Sequence, residues 1–129
     1  MSSRLSSLGF VLCFFALAAC GPPATLATVQ TEVFDKSCTF AACHKGAGAG
    51  GLNLEAPSWG RLVSVNARGP GAAGLMLVVP GKPDESYLLQ KLTHDAPVAG
   101  VRMPQGGDPL AADRLQLVHD WIAAGAKER

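Results

Sequence analysis

The segment Cys38-Thr39-Phe40-Ala41-Ala42-Cys43-His44 constrains this chain more than any other stretch. Two thiols stand five positions apart, and an imidazole follows the second directly. That combination suits covalent capture of haem: each thiol adds to a vinyl group, and the adjacent histidine ligates the iron. The usual attachment spacing has two residues between the cysteines. Here there are four, so the segment matches in kind and departs in length.

Attachment of this type requires export, and the N-terminus reads as an export signal. Met1 to Ser7 is polar with one cation, Arg4, and an apolar run from Leu8 to Ala18 follows. The run falls short of the ~20 apolar residues that span a bilayer and has the proportions of a signal-peptide core. It ends at Leu17-Ala18-Ala19-Cys20, which resembles a bacterial lipobox. Residues 1–19 are therefore expected to be a lipoprotein signal peptide, with lipidation at Cys20. Ordinary cleavage after a small-residue site, leaving Cys20 incidental, is the plainer alternative. Gly21 is not the acidic residue that often signals inner-membrane retention, which favours the outer membrane.

The signal changes the cysteine count. Cys13 leaves with the leader and Cys20 is blocked by lipid, so Cys38 and Cys43 are the remaining thiols. Exported proteins rarely keep reactive thiols free. A Cys38–Cys43 disulfide is the rival reading, although so small a ring stabilises little, since the entropic gain grows with loop length. The ring also gives His44 no purpose.

Composition fits one small domain in residues 20–129. Eleven basic residues face ten acidic ones, with Arg4 in the leader, and no basic stripe supports nucleic-acid binding. Fifteen glycines and nine prolines make much of the chain loop. Beyond the leader the aromatics are Phe34, Phe40, Trp59, Tyr87 and Trp121, few for filling an interior. A buried porphyrin would supply the missing apolar bulk, as bound groups do in other small scaffolds.

Gly21-Pro22-Pro23-Ala24 reads as the start of a tether covering residues 20–27, ahead of a domain at 28–129. From about Leu26 to Ser37 neither Gly nor Pro occurs, and Val29, Val33 and Phe34 share one helical face. Lys45 to Gly51 is glycine-rich and reads as loop. Pro57 to Val63 holds one short helix around Trp59. Leu75 to Val79 is an apolar run closed by Pro80-Gly81-Lys82-Pro83. Asp84 and Glu85 are placed to open a helix through Tyr87, Leu88, Lys91 and Leu92. A loop carries Val101 to Gly107. The last helix is expected from Pro109 or Leu110 to Gly125, with Leu115, Val118, Trp121 and Ile122 as its apolar stripe. The expected class is all-α: three to four helices, long loops and no sheet.

The ordered series of Cys-x4-Cys-His, Gly50-Gly51-Leu52-Asn53-Leu54, Val79 to Leu88, Arg102-Met103-Pro104 and Trp121-Ile122-Ala123-Ala124-Gly125-Ala126 resembles the planctomycete-type cytochrome c domain. That domain belongs with the single-haem class I cytochromes c, and the resemblance covers about Val33 to Ala126. It implies a small all-α fold around one haem c, attached at Cys38 and Cys43. It further implies His44 as proximal and Met103 as distal iron ligand. The cysteine spacing is longer than the family's commoner form.

His and Met form a recognised axial pair, and thioether sulfur raises the reduction potential. The other methionine beyond the leader, Met76, lies in the apolar run and reads as core filler. His94, at the end of the third helix, is the alternative distal ligand, and His119 reads as a solvated helical side chain. By analogy with class I cytochromes, the Pro57 carbonyl is the expected acceptor for the second ring nitrogen of His44.

With both axial positions filled, one-electron transfer is the chemistry left. The expectation is a lipid-anchored electron carrier, not an enzyme, facing the periplasm, with an envelope redox protein as partner and the membrane reached through its lipid. Near-neutral charge implies weak electrostatic steering. No nucleotide fingerprint follows a strand. The alternatives are a haem-free, disulfide-stapled binding or structural module, and a haem sensor or peroxidase in which Met103 leaves readily.

Overall fold

The computed structural model describes residues 21–46, 48–67, 72–94 and 98–129. The leader at 1–19, with Cys13, and the lipidation candidate Cys20 lie outside the described residues. The described residues are mostly helical with no named strand, as the all-α expectation required.

One helical run begins where glycine and proline stop. Thr25 caps it, its hydroxyl accepting from Thr28 N at 3.3 Å. α1 (Leu26–Val29) passes into a π-helical turn, Gln30–Phe34, and ends in α2 (Asp35–Ser37). Leu26 is already buried at the start of this run. Val29, Val33 and Phe34 are fully buried, each contributing roughly 1.5–3 kcal/mol. Gln30 is buried at the start of the wide turn. Its amide donates to Asp35 Oδ1 at 2.7 Å and Leu54 O at 2.8 Å, while its carbonyl oxygen accepts from Ser58 Oγ at 2.7 Å. One side chain thereby joins the first helix to the Leu54–Ser58 segment with every polar atom satisfied.

α3 (Trp59–Leu62) is a single turn. The chain after it runs beside the apolar Leu75–Val78 stretch, joined by Leu77 N to Val65 O at 2.7 Å and Ala67 N to Leu75 O at 2.8 Å. Only isolated bridges result, Val63 with Val78 and Asn66 with Met76.

Asp84 and Glu85 do not open the next helix. They occupy a separate 3-10 turn, Pro83–Glu85, and Ser86 is extended before α4 (Tyr87–Thr93). The cause is the Ser86 hydroxyl, which accepts from Val79 N at 2.9 Å and donates to Lys82 O at 2.9 Å. Those bonds hold Ser86 outside the helix and close the Val79–Ser86 turn.

α5 (Ala112–Ala123) starts after the expected Pro109 or Leu110. Leu110 is buried and Ala111 is extended, so the chain first seats Leu110 and then turns. Val118, Trp121 and Ile122 are buried as expected; Leu117 joins them and Leu115 is half-buried. α5 packs on both α1 and α4. Two indoles pin the chain end: Trp59 Nε1 donates to Ala126 O at 2.8 Å and Trp121 Nε1 to Lys127 O at 2.9 Å.

Candidate cofactor site

A cavity of about 820 Å³ opens between the first helix, the glycine-rich loop, α4 and the segment before Met103. Its volume lies within the ~300–1,000 Å³ of small-molecule and cofactor sites. Phe34, Leu54, Leu77, Leu88 and Leu92 give it an apolar wall. Cys38, His44 and Met103 all stand on that wall, although Met103 is far from the other two in sequence.

His44 is held by its backbone and oriented by its ring. His44 N donates to Cys38 O at 3.0 Å, and His44 O accepts from Leu54 N at 2.8 Å. Nδ1 lies 3.2 Å from Leu52 O. A carbonyl can only accept, so Nδ1 carries the proton and a neutral ring presents a bare lone pair at Nε2. This is the arrangement in which an imidazole ligates metal. The acceptor is Leu52 and not Pro57 as expected, because the intervening loop folds back early. Gly48, at φ +64°, makes that possible: a Cβ there would stand 1.9 Å from Leu52 O. Ala49 N to Cys43 O at 2.7 Å fastens the same loop behind the second cysteine.

The two cysteines differ. Cys38 is buried on the cavity wall, with Sγ 3.8 Å from Val33 O. Burial, with Cys43 adding to it, pushes the Cys38 thiol up to about 11. Cys43 is half-buried and not part of the wall. Both are free thiols.

Met103 is half-buried against the core, and its N–H donates to Lys91 O at 2.8 Å. Met76, His94 and His119 stand outside this cavity. Met76 is half-buried outside the cavity, in the bridge to Asn66. His94 adopts a left-handed conformation after α4 and turns Nε2 toward Gly100 O at 3.2 Å. His119 is half-buried on α5 beside Asp120, whose carboxyl is held below its ordinary range by hydrogen bonds from His119 and Gln116.

Sequence reasoning missed two cations on the wall, Arg61 and Lys91. Arg61 Nε donates to Asn53 O at 2.9 Å and its terminal amine to Glu55 O, bracing the loop that presents Leu52. Lys91 falls in the same stripe as Tyr87, Leu88 and Leu92. A cation at an apolar register position was the available signal.

Among the described residues, no group of three or more His, Cys, Asp or Glu could hold a bare metal ion. No helix among them is long and apolar enough to cross a membrane. Comparisons with protein-family models, with curated proteins and with solved structures find no match for this chain.

Proposed function

We propose that this chain is a mono-haem c-type cytochrome of the class I kind, carrying single electrons in the cell envelope and tethered by lipid on Cys20. The observation that carries the reading is the convergence of Cys38, His44 and Met103 on one apolar cavity of about 820 Å³. The residues present fit a haem. The wall is apolar enough for a porphyrin face, His44 offers Nε2, Met103 offers a thioether, and Cys38 offers a thiol.

When bound, haem supplies one-electron exchange between ferric and ferrous iron. The protein's own groups do the rest. The Leu52 carbonyl fixes the His44 ring and makes Nε2 more electron-rich. Met103 would supply the thioether sulfur, which favours the ferrous state and raises the potential. Leu54, Leu77, Leu88 and Leu92 would cover the apolar faces of the group and lower the dielectric around it. Cys38 would hold the haem covalently through a thioether formed from its thiol. Cys43 lies off the wall, so a second bond requires the Phe40–Cys43 turn, closed by Cys43 N to Phe40 O at 2.8 Å, to rotate. In this reading the partner is a redox protein of the envelope, and the membrane is reached only through the lipid.

The test is the intact mass of protein exported alongside a haem-attachment system, followed by peptide mapping. Haem mass retained on the peptide containing residues 38–44 is the expected result. A colourless, folded protein with a Cys38–Cys43 disulfide contradicts the proposal and restores the haem-free module.

A further inference from the structure

Lys91 sits at a position of α4 where its neighbours Tyr87, Leu88 and Leu92 are buried. Its ammonium donates to Ala99 O at 3.0 Å and to Val101 O at 2.7 Å. Its backbone carbonyl accepts from Met103 N at 2.8 Å. Backbone groups of residues 99, 101 and 103 therefore all end on one residue of another element. Lys91 makes no ion pair with a carboxylate among the described residues. Its charge is used on the peptide carbonyls alone, as charge-assisted bonds stronger than neutral ones. The segment wraps the ammonium closely: Gly100 is at φ +81°, and a Cβ there would lie 3.7 Å from Nζ. His94 Nε2, 3.2 Å from Gly100 O, adds a tie from the end of the same helix.

We propose that Lys91 is a positioning residue for Met103. It clamps residues 98–103 to α4 and so sets where the thioether stands over the cavity. Val98 is buried at one end of the segment and Lys91 O holds Met103 N at the other; the ammonium fixes what lies between. Val101 itself is exposed, and the His94 tie to Gly100 O is the other side-chain bond seen from the end of α4 to this segment. Ferric iron holds thioether sulfur less tightly than ferrous iron does. Loss of the clamp therefore releases Met103 first in the oxidised protein. The inference rests on the reading of Met103 as distal ligand.

The experiment compares Lys91→Met, which keeps the apolar stem and removes the donors, with Lys91→Arg, which keeps donors. Both are made as exported protein. Backbone amide exchange at Val101 and Met103 is followed with Val118 of α5 as the internal standard. Lys91→Met is expected to speed exchange at Met103 about tenfold or more, with Val118 unchanged and Lys91→Arg restoring protection. The oxidised absorption spectrum of Lys91→Met is expected to lose intensity in the sulfur-to-iron band while covalent haem is retained. Unchanged exchange at Met103 overturns the clamp, and so does equal acceleration at Met103 and Val118. A sulfur-to-iron band absent from the unsubstituted protein overturns the distal-ligand reading instead, and the exchange comparison still decides the clamp.

Discussion

The His44 and Met103 segments face one cavity but are held in different ways. Around His44, order is local: backbone bonds within Cys38–Leu54, a glycine admitting no Cβ, and a carbonyl eight residues on that orients the ring. Around Met103, order is borrowed. The segment is fixed by Lys91 and His94 of another element and by one buried valine. A locally closed loop keeps its geometry when distant contacts change, whereas a borrowed one follows the helix that holds it. The His44 side is thus the rigid half and the Met103 side the adjustable half.

The largest expected effect breaks the rigid half. Gly48→Ala places a Cβ against Leu52 O at a positive φ, so the loop has to open. A loss of about 3 kcal/mol or more is expected in urea unfolding, together with loss of the His44–Leu52 bond, readable as a changed imidazole proton resonance. Stability within about 0.5 kcal/mol of the parent would show that the loop is not held as described.

Next in size is Gln30→Leu, which leaves Leu54 O and Ser58 Oγ without their buried partner. About 2 kcal/mol is expected, since orphaned buried groups cost roughly 1–3 kcal/mol each and partial relaxation offsets some of this. The effect should appear on the His44 side, as faster amide exchange around Leu54 with Met103 unaffected. Equal acceleration on both sides would erase the distinction between the halves.

The thiol form of the protein gives a pH test of the same wall. Burial holds Cys38 as a thiol up to about 11, against 9.0 for an ordinary cysteine. The folded state therefore keeps a proton that the unfolded state gives up. The associated stability is present below about 9, declines as pH rises, and is gone above about 11. Alkylation at pH 8 should mark Cys43 well before Cys38, read by peptide mass. Equal rates would place Cys38 off the buried wall, and haem attachment at Cys38 would abolish the transition.

The smallest effect on stability falls in the adjustable half. Met103→Ala removes a half-buried side chain from the cavity wall and should cost only about 1 kcal/mol. A cost near 3 kcal/mol would mean that Met103 is core filler.

Much of this division was legible in the sequence. The run from Leu26 to Ser37 lacks Gly and Pro and repeats its apolar residues on one face, so the first helix was readable almost to the residue. Cys38 and His44 were legible because short-range spacing alone brings them together. Ser86 was not, since its hydroxyl bonds to Val79 and Lys82 act through a fold in the chain and delay the start of α4 to Tyr87. The Pro57 expectation failed for a related reason: which carbonyl meets the His44 ring depends on how tightly Gly48 lets the loop turn back. Lys91 stood in plain view as a charge in an apolar stripe, but its acceptors belong to a segment whose course no local pattern reveals.

The most direct test of the central claim is the absorption spectrum of oxidised, exported protein, compared across the parent, His44→Ala and Met103→Ala. Covalently held haem with a sulfur-to-iron band is expected in the parent. That band should vanish in Met103→Ala, and the remaining spectrum should collapse toward weakly ligated haem in His44→Ala. A parent without haem, or haem spectra indifferent to both substitutions, would contradict the convergence of Cys38, His44 and Met103 on one cofactor.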